Sequence, residues 1–348
     1  MPDRIAIIKP SALGDVVHAL PVLSALRARF PDAHITWVVN KAYESLLVGH
    51  PHLDATLPFD RGMFKKGPWK AALYSHGFAN RLRRQRFDVA VDLQGLLRTG
   101  LMCAATGASR KIGFAAAREG ATNFYTEPVE VPDADTLHSV DRYLRVASFL
   151  GAESRPVRFV VPIRPEEQAA VERELAACPR PWVAVALGVR WETKQWPVAS
   201  FASLLRRTQA AFGGTVLFVG TSDDTRLTPE AAGRLPGPYR DFTGKTSLPR
   251  LAALLDRVDL MVANDTGPLH LAAALGRPCV APYTCTRTAR HGPYGDDRGG
   301  VETRVACGGS YLKRCPHNMV CMADLTPEKL WPPVAEGLAA WADRSRSA

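Results

Sequence analysis

At 348 residues, with 46% apolar and 22% charged positions, the chain has the composition of a soluble globular protein and enough length for two cores of roughly 150 residues each. No apolar run reaches the roughly 20 residues a membrane-spanning helix needs, and seven cysteines, an odd number, argue against a disulfide framework and fit reduced thiols. The net charge of +10, from 44 basic against 34 acidic residues, predicts an anionic partner.

The chain opens on Ile5-Ala6-Ile7-Ile8, a strand pattern without a basic leader, apolar core and cleavage site, so the expectation is a cytoplasmic protein. Strands are predicted over residues 4–9, 34–39, 88–93 and 111–114, with helices over 16–30 and 69–84 between them. Pro156, Pro162 and Pro165 mark residues 157–165 as a linker that can act as a hinge. A second series of strands follows over 182–187, 215–219, 258–263 and 278–282, and a last helix over 327–342 carries Leu330, Val334, Leu338 and Trp341 near i, i+4 spacing. Short apolar strands alternating with longer helical patterns predict an α/β fold of two units, each with a parallel sheet.

Three turns at predicted strand ends hold residues suited to chemistry, because ligands of open α/β sheets bind beyond the carboxyl ends of the strands. The first runs Lys9-Pro10-Ser11-Ala12-Leu13-Gly14-Asp15. There Asp15 is either a helix cap or a general base, with Ser11 beside it. In the second, Arg190-Trp191-Glu192-Thr193-Lys194, Arg190 and Lys194 have the charge to neutralise a phosphate pair. The third, Asn264-Asp265-Thr266-Gly267-Pro268, leads into an Ala-rich helix. A helix start of this kind offers free N–H groups and a positive dipole end to a phosphate. The same letters also spell an ordinary cap with proline in the first turn, and local sequence leaves both readings open. No Gly-x-Gly-x-x-Gly fingerprint follows either first strand, which disfavours a dinucleotide enzyme.

The positive charge is concentrated. Between Arg61 and Arg118 stand 12 Lys or Arg against only Asp88 and Asp92. Part of this window, Arg81-Leu82-Arg83-Arg84-Gln85-Arg86, reads equally well as a solvated helix face.

Four segments together resemble glycosyltransferase family 9, the ADP-heptose lipopolysaccharide heptosyltransferases. They are Lys9-Pro-Ser-Ala-Leu-Gly-Asp-Val-Val-His18, Asp92-Leu-Gln-Gly-Leu-Leu-Arg98, Arg190-Trp-Glu-Thr-Lys-Gln-Trp-Pro197 and Asn264-Asp-Thr-Gly-Pro-Leu-His-Leu-Ala-Ala-Ala274. The resemblance implies a GT-B fold in which two Rossmann-like domains face each other across a cleft. Residues 1–160 would form the acceptor-binding domain, 161–325 the nucleotide-sugar donor domain, and 326–348 a helix packing back on the first domain. It also implies an inverting, metal-independent transfer of L-glycero-D-manno-heptose from ADP-heptose to the Kdo/heptose inner core of lipopolysaccharide. No cofactor is expected, since ADP-heptose is a substrate, and the expected state is a monomer, cytoplasmic and peripheral at the inner face of the inner membrane.

Carried over by position, the resemblance makes Asp15 the general base, Lys194 a donor-phosphate contact aided by Arg190, and Asp265, Thr266, Gly267 and His270 the donor-binding turn. Asp223 or Asp224 is the nearest counterpart of the family's ribose-contacting acid. On the acceptor side the candidates are Ser11, Gly14, Gln94, Arg98, Lys111, Arg118, His138 and Arg142, facing the anionic Kdo and lipid A groups, with Arg61, Lys65 and Lys66 either joining them or resting on the leaflet. One segment departs from the family pattern: Tyr283-Thr284-Cys285-Thr286 stands where many members carry Gly-Pro-Thr.

Rival readings remain. A transferase of the same family with another sugar or acceptor, and a sugar-nucleotide epimerase on the same fold, share the motifs. A nucleic-acid-binding protein has the charge but none of the recognition signatures, so no nucleic-acid partner is expected. Cys307, Cys315, His317 and Cys321 invite a zinc reading, yet lack paired Cys-x-x-Cys clips, and the expectation is packed thiols with no metal.

Overall fold

The computed structural model describes residues 1–346, so the last two positions of the expected 326–348 segment lie outside the described residues. The chain divides into two compact units, Met1–Pro162 and Ile163–Ala348, with the boundary inside the proline-marked stretch.

The first unit holds β1 (Arg4–Ile8), β2 (His34–Asn40), β3 (Ala55–Phe59), β4 (Val89–Asp92), β5 (Arg110–Phe114) and β6 (Glu127–Val129). They form one parallel sheet in the order β3-β2-β1-β4-β5-β6. The second holds β7 (Trp182–Ala186), β8 (Thr215–Phe218), β9 (Tyr239–Asp241), β10 (Leu260–Ala263), β11 (Cys279–Tyr283) and β12 (Gly300–Glu302). Its parallel order is β12-β11-β10-β7-β8-β9. Counted from its own first strand, each sheet has the doubly wound order 3-2-1-4-5-6, a Rossmann-like topology.

Central strands in such sheets are covered on both faces and must be apolar throughout. Ile5, Ala6, Ile7 and Ile8 are accordingly fully buried, as are Leu260 to Ala263. The outer strands β3, β6, β9 and β12 are partly polar and half-exposed, and none of the four was predicted.

The helix predicted over 16–30 is two helices, Leu13–His18 and Leu20–Arg29, joined at Ala19. Pro21 stands in the first turn of the second and has no N–H to continue the first. The basic helix is Pro68–Arg84. The last helix, Pro327–Arg346, buries Leu330, Val334 and Leu338 in the core of the second unit, each side chain contributing about 1.5–3 kcal/mol of apolar transfer. Among the described residues no helix is long and apolar enough to cross a membrane.

Candidate functional site

Because each sheet is parallel, every βα turn of a unit emerges at the carboxyl end of its strands. The crevice of a doubly wound sheet opens there, between the first and fourth strands, where the chain reverses direction across the sheet. In the first unit that position lies between β1 and β4, whose register pairs Ile8 with Asp92. In the second it lies between β7 and β10, where Ala186 pairs with Ala263.

After β1 the chain enters the helix Leu13–His18, with Asp15 as its third residue. Asp15 is thus inside the first turn and is not the cap residue, which is Ala12. Its carboxylate reaches back to accept the Ala12 N–H at 3.0 Å through Oδ2. The other oxygen, Oδ1, accepts the Tyr143 hydroxyl at 2.9 Å. Behind Tyr143 stands Lys9, which donates to the Tyr143 oxygen at 2.8 Å and to the Leu93 carbonyl at 3.2 Å, with its Nζ 3.4 Å from Asp15 Oδ1. Lys9 and Tyr143 are fully enclosed, whereas the Asp15 side chain keeps 39% of its surface open. Burial alone would pull Lys9 down, but the Asp15 carboxylate and the Tyr143 oxygen outweigh it and the net shift is upward. Tyr143 is raised by burial and by Asp15. The ammonium therefore stays charged, the phenol stays a donor, and together they orient a carboxylate whose outer side meets solvent.

The turn after β4 is shaped by Asp92, fully buried, whose Oδ1 accepts the N–H groups of Gln94 at 2.8 Å and Gly95 at 3.1 Å. Gly95 has φ +68°, a left-handed conformation that glycine adopts without strain. Gln94 and Arg98 follow this turn, Arg98 in the first turn of the helix Leu97–Ala105. Arg118 is tied to it by its backbone N–H to the Gly95 carbonyl at 2.9 Å. Arg142 lies over the rings of Phe114 and Tyr143 at 5.1 and 5.3 Å. Among the described residues, the buried atoms Gln94 Oε1, Arg98 Nε and Arg142 Nε have no hydrogen-bond partner, a costly state unless a ligand or water completes it. Burial, and after it the nearby Arg61, lower the Arg98 guanidinium, with Glu119 opposing them. His138 caps the helix Ser139–Phe149 by accepting the Val140 N–H at 3.1 Å, and its ring stands edge-on to His18 at 5.2 Å.

Ser11, Gly14, Asp15, Gln94, Arg98, Arg118, His138 and Arg142 thus all sit at the carboxyl end of the first sheet. Lys111 does not. It is the second residue of β5, at the amino end, and donates to the Ala108 carbonyl at 2.8 Å; a parallel strand puts its first residues at the end remote from the crevice. The basic window is split the same way, since Arg81 to Arg86 lie where the chain returns to the amino end before β4.

In the second unit Lys194 ends a short turn after β7 and reaches Asp265, in the turn after β10, at 2.6 Å. Asp265 also accepts the Thr286 hydroxyl at 2.8 Å and lies 3.1 Å from His270 Nε2. Its side chain is only 4% exposed. Burial would raise this carboxyl, but His270 and Lys194 hold it far below the ordinary carboxylate range. Asn264 locks the two turns together, accepting the Trp196 N–H at 2.9 Å and donating to the Leu187 carbonyl at 2.7 Å. Thr266 is the cap residue of the helix Gly267–Ala274, yet its side chain makes no capping bond. Asp265 is committed to its three partners. Of the two readings the local sequence leaves open, side-chain capping by Asp265 or Thr266 is not what the structure shows, and the helix start is uncapped by the turn.

Asp224 accepts both the N–H and the hydroxyl of Thr221 at 2.8 Å. Its carboxylate lies so close to Gly188 that a Cβ there would stand 1.7 Å from it. This puts Asp224 at the carboxyl ends of β7 and β8, while Asp223 and Arg190 are exposed. Cys285, Cys307, Cys315, His317 and Cys321 line a cavity of about 20 Å³. Burial and the neighbouring Cys315 and Cys307 raise the Cys321 thiol. Among the described residues no three His, Cys, Asp or Glu side chains are placed to hold a metal.

Three contributors escaped the sequence reading: Lys9, Tyr143 and Thr286. Lys9 begins the first of the four family-like segments, where residue type alone gives it no role. Tyr143 is 128 positions from Asp15, and no local pattern signals that contact.

Residues 75–320 match the model of glycosyltransferase family 9 (heptosyltransferase). The chain is 28% identical over 323 residues to lipopolysaccharide heptosyltransferase 1 of Pseudomonas aeruginosa, covering 90% of this chain and 88% of that one. Among solved structures it is similar to a glycosyl transferase family 9 protein from Veillonella parvula, with TM-score 0.82, 22% identity and 97% of both chains covered. It is also similar to the E. coli heptosyltransferase WaaC with ADP, with TM-score 0.74, 22% identity, and 96% of this chain and 99% of that one covered.

Proposed function

The chain belongs to glycosyltransferase family 9 and is a glycosyltransferase of GT-B fold, and from that premise we propose that it moves L-glycero-D-manno-heptose from ADP-heptose to the Kdo/heptose inner core of lipopolysaccharide, with inversion and without a metal. The observation that carries the reading is a division of labour between two equivalent sheet positions: an oriented, solvent-open carboxylate at Asp15 and a cation, Lys194, fixed beside an uncapped helix start.

A single in-line displacement uses both. Asp15 takes the proton of an acceptor hydroxyl, whose oxygen forms a bond to the anomeric carbon as the bond from that carbon to the diphosphate breaks. The departing ADP carries the electron pair, and its charge is met by Lys194, by Arg190 on the same turn, and by the Gly267 N–H with the helix dipole. Asp265 and His270 support this set indirectly: Asp265 fixes Lys194, and His270 fixes Asp265. Asp224 serves the donor ribose. Gln94, Arg98, Arg118 and Arg142 bind the anionic acceptor, the three arginines supplying its counter-charge. On this reading the enzyme works as a monomer in the cytoplasm, at the inner face of the inner membrane.

The test is transfer from ADP-heptose, against other nucleotide sugars, to Kdo-lipid A and heptosylated Kdo-lipid A, read as ADP release and product mass. Turnover confined to ADP-heptose and a Kdo-containing acceptor is the expected result; no turnover with any such acceptor removes the reading.

A further inference from the structure

The helix Pro68–Arg84 carries a feature that neither the core nor the proposed chemistry uses. It packs inward through Phe78 and Leu82, both buried. Trp69 is 82% exposed and Leu73 is 66% exposed. Trp69 stands nine positions before Phe78 and Leu73 nine before Leu82, which is about two and a half helical turns. Both large apolar side chains therefore project from the face opposite the core. Being i and i+4, they form one ridge.

The ridge is surrounded by one sign of charge. Lys65, Lys66 and Lys70 are exposed, and no Asp or Glu occurs from Arg61 to Phe87. Among the described residues none of these three lysines has an ion-pair partner. No i, i+4 acid is therefore available to neutralise Lys70, and Lys65 and Lys66 stand just before the helix start. The segment before the helix is also held firmly. Phe64 packs on Phe59 at 5.6 Å and on Tyr74 at 6.3 Å, and Tyr74 stacks on Phe78 at 6.0 Å.

An exposed Trp and Leu rimmed by unpaired lysines fits the boundary between lipid headgroups and acyl chains, where Trp is favoured and anionic headgroups attract cations. The sheet adds direction. The segment follows the carboxyl end of β3, so Trp69 lies at the same end of the first sheet as Asp15, Gln94 and Arg98. Arg81 to Arg86, at the other end of the helix, have no part in it.

We propose that Trp69 and Leu73, with Lys65, Lys66 and Lys70, form the site by which this protein docks on an anionic phospholipid bilayer, presenting the carboxyl end of the first sheet to the membrane surface. The proposal deepens the reading of a lipid-borne acceptor, and takes from it only the identity of the membrane; its test does not use transfer to lipid.

The full chain is sedimented with phosphatidylethanolamine–phosphatidylglycerol vesicles and with phosphatidylcholine vesicles, in low and high salt. Binding to the anionic vesicles that weakens with salt is expected, falling about tenfold or more in Trp69→Ser/Leu73→Ser, as the loss of two buried apolar side chains requires. A Lys65→Gln/Lys66→Gln/Lys70→Gln variant should lose the salt dependence while circular dichroism stays unchanged. Quenching of tryptophan emission by brominated lipid should be reduced in Trp69→Phe. Equal binding by wild type and the Trp69/Leu73 double variant overturns the proposal. So does a wild-type chain that ignores anionic vesicles but sediments as a dimer that the double variant abolishes, which would make a second copy the occupant. Turnover with a water-soluble, deacylated Kdo acceptor should be the same in wild type and the double variant. Failure of that turnover in the wild type would count against the proposed function while leaving the docking result intact.

Discussion

Asp15 and Asp265 both stand just beyond a central strand, Asp15 after the first strand of one sheet and Asp265 after the fourth strand of the other, and their surroundings are opposite. Asp15 accepts two hydrogen bonds and leaves 39% of its side chain open. Asp265 is 4% exposed and spends its oxygens on Lys194, Thr286 and His270. The comparison teaches that a conspicuous carboxylate in a βα turn is not by itself a base. An open carboxylate can accept a proton from a substrate; a saturated one sets where its cation stands.

The sharpest way to break the contrast is to exchange the chemistry of the two residues. Asp15→Asn should lower kcat by about 10²–10⁴-fold, the range for removing a general base, with ADP-heptose affinity by calorimetry little changed. A variant with normal turnover would end the assignment. Asp265→Asn should act the other way round. Leaving Lys194 and His270 without their buried partner should cost about 3–5 kcal/mol of stability, seen as a lower denaturant midpoint, together with weaker donor binding. If it instead left stability intact and lost only kcat, the positioning role would be wrong.

Smaller effects test the supports. Tyr143→Phe removes the hydroxyl between Lys9 and Asp15 and should reduce kcat by about tenfold or more, the worth of a hydrogen bond to a charged group, at constant donor affinity. Arg98→Glu should raise the acceptor KM and spare the donor constant; a selective loss of donor affinity would contradict its place. The mildest perturbation is pH. Burial lowers His50 from its ordinary 6.5 to about 4, so between those values the unfolded chain binds the extra proton. The contribution to stability is complete above pH 6.5 and is lost as pH falls toward 4. Denaturation midpoints at pH 7 and pH 5 should differ less in His50→Gln than in wild type.

Much of this molecule is legible before folding. The continuous apolar runs of β1, β4, β7 and β10 are what a strand covered on both faces demands, and residue type marked Asp15, Lys194 and Asp265 as candidates in the segments after β1, β7 and β10, their expected roles coming from the family resemblance. The outer strands were not legible, because β9, with Tyr239, Arg240 and Asp241, buries too little to leave a pattern. Lys111 was misplaced for a related reason: sequence shows that it belongs to a strand segment, while only the direction of that strand in the sheet says which end it occupies.

The sequence by itself determined the two α/β units, the central strands and the presence of charged residues at their carboxyl ends, since these are recorded in local periodicity and residue type. Tertiary structure alone decided which partners each of those charges meets and how open it stays. The bonds from Tyr143 to Asp15, from Thr286 to Asp265 and from Asn264 to the Trp196 turn join positions 128, 21 and 68 residues apart. Whether a carboxylate is open or saturated depends on such partners, and a chain writes no local record of neighbours it acquires only by folding.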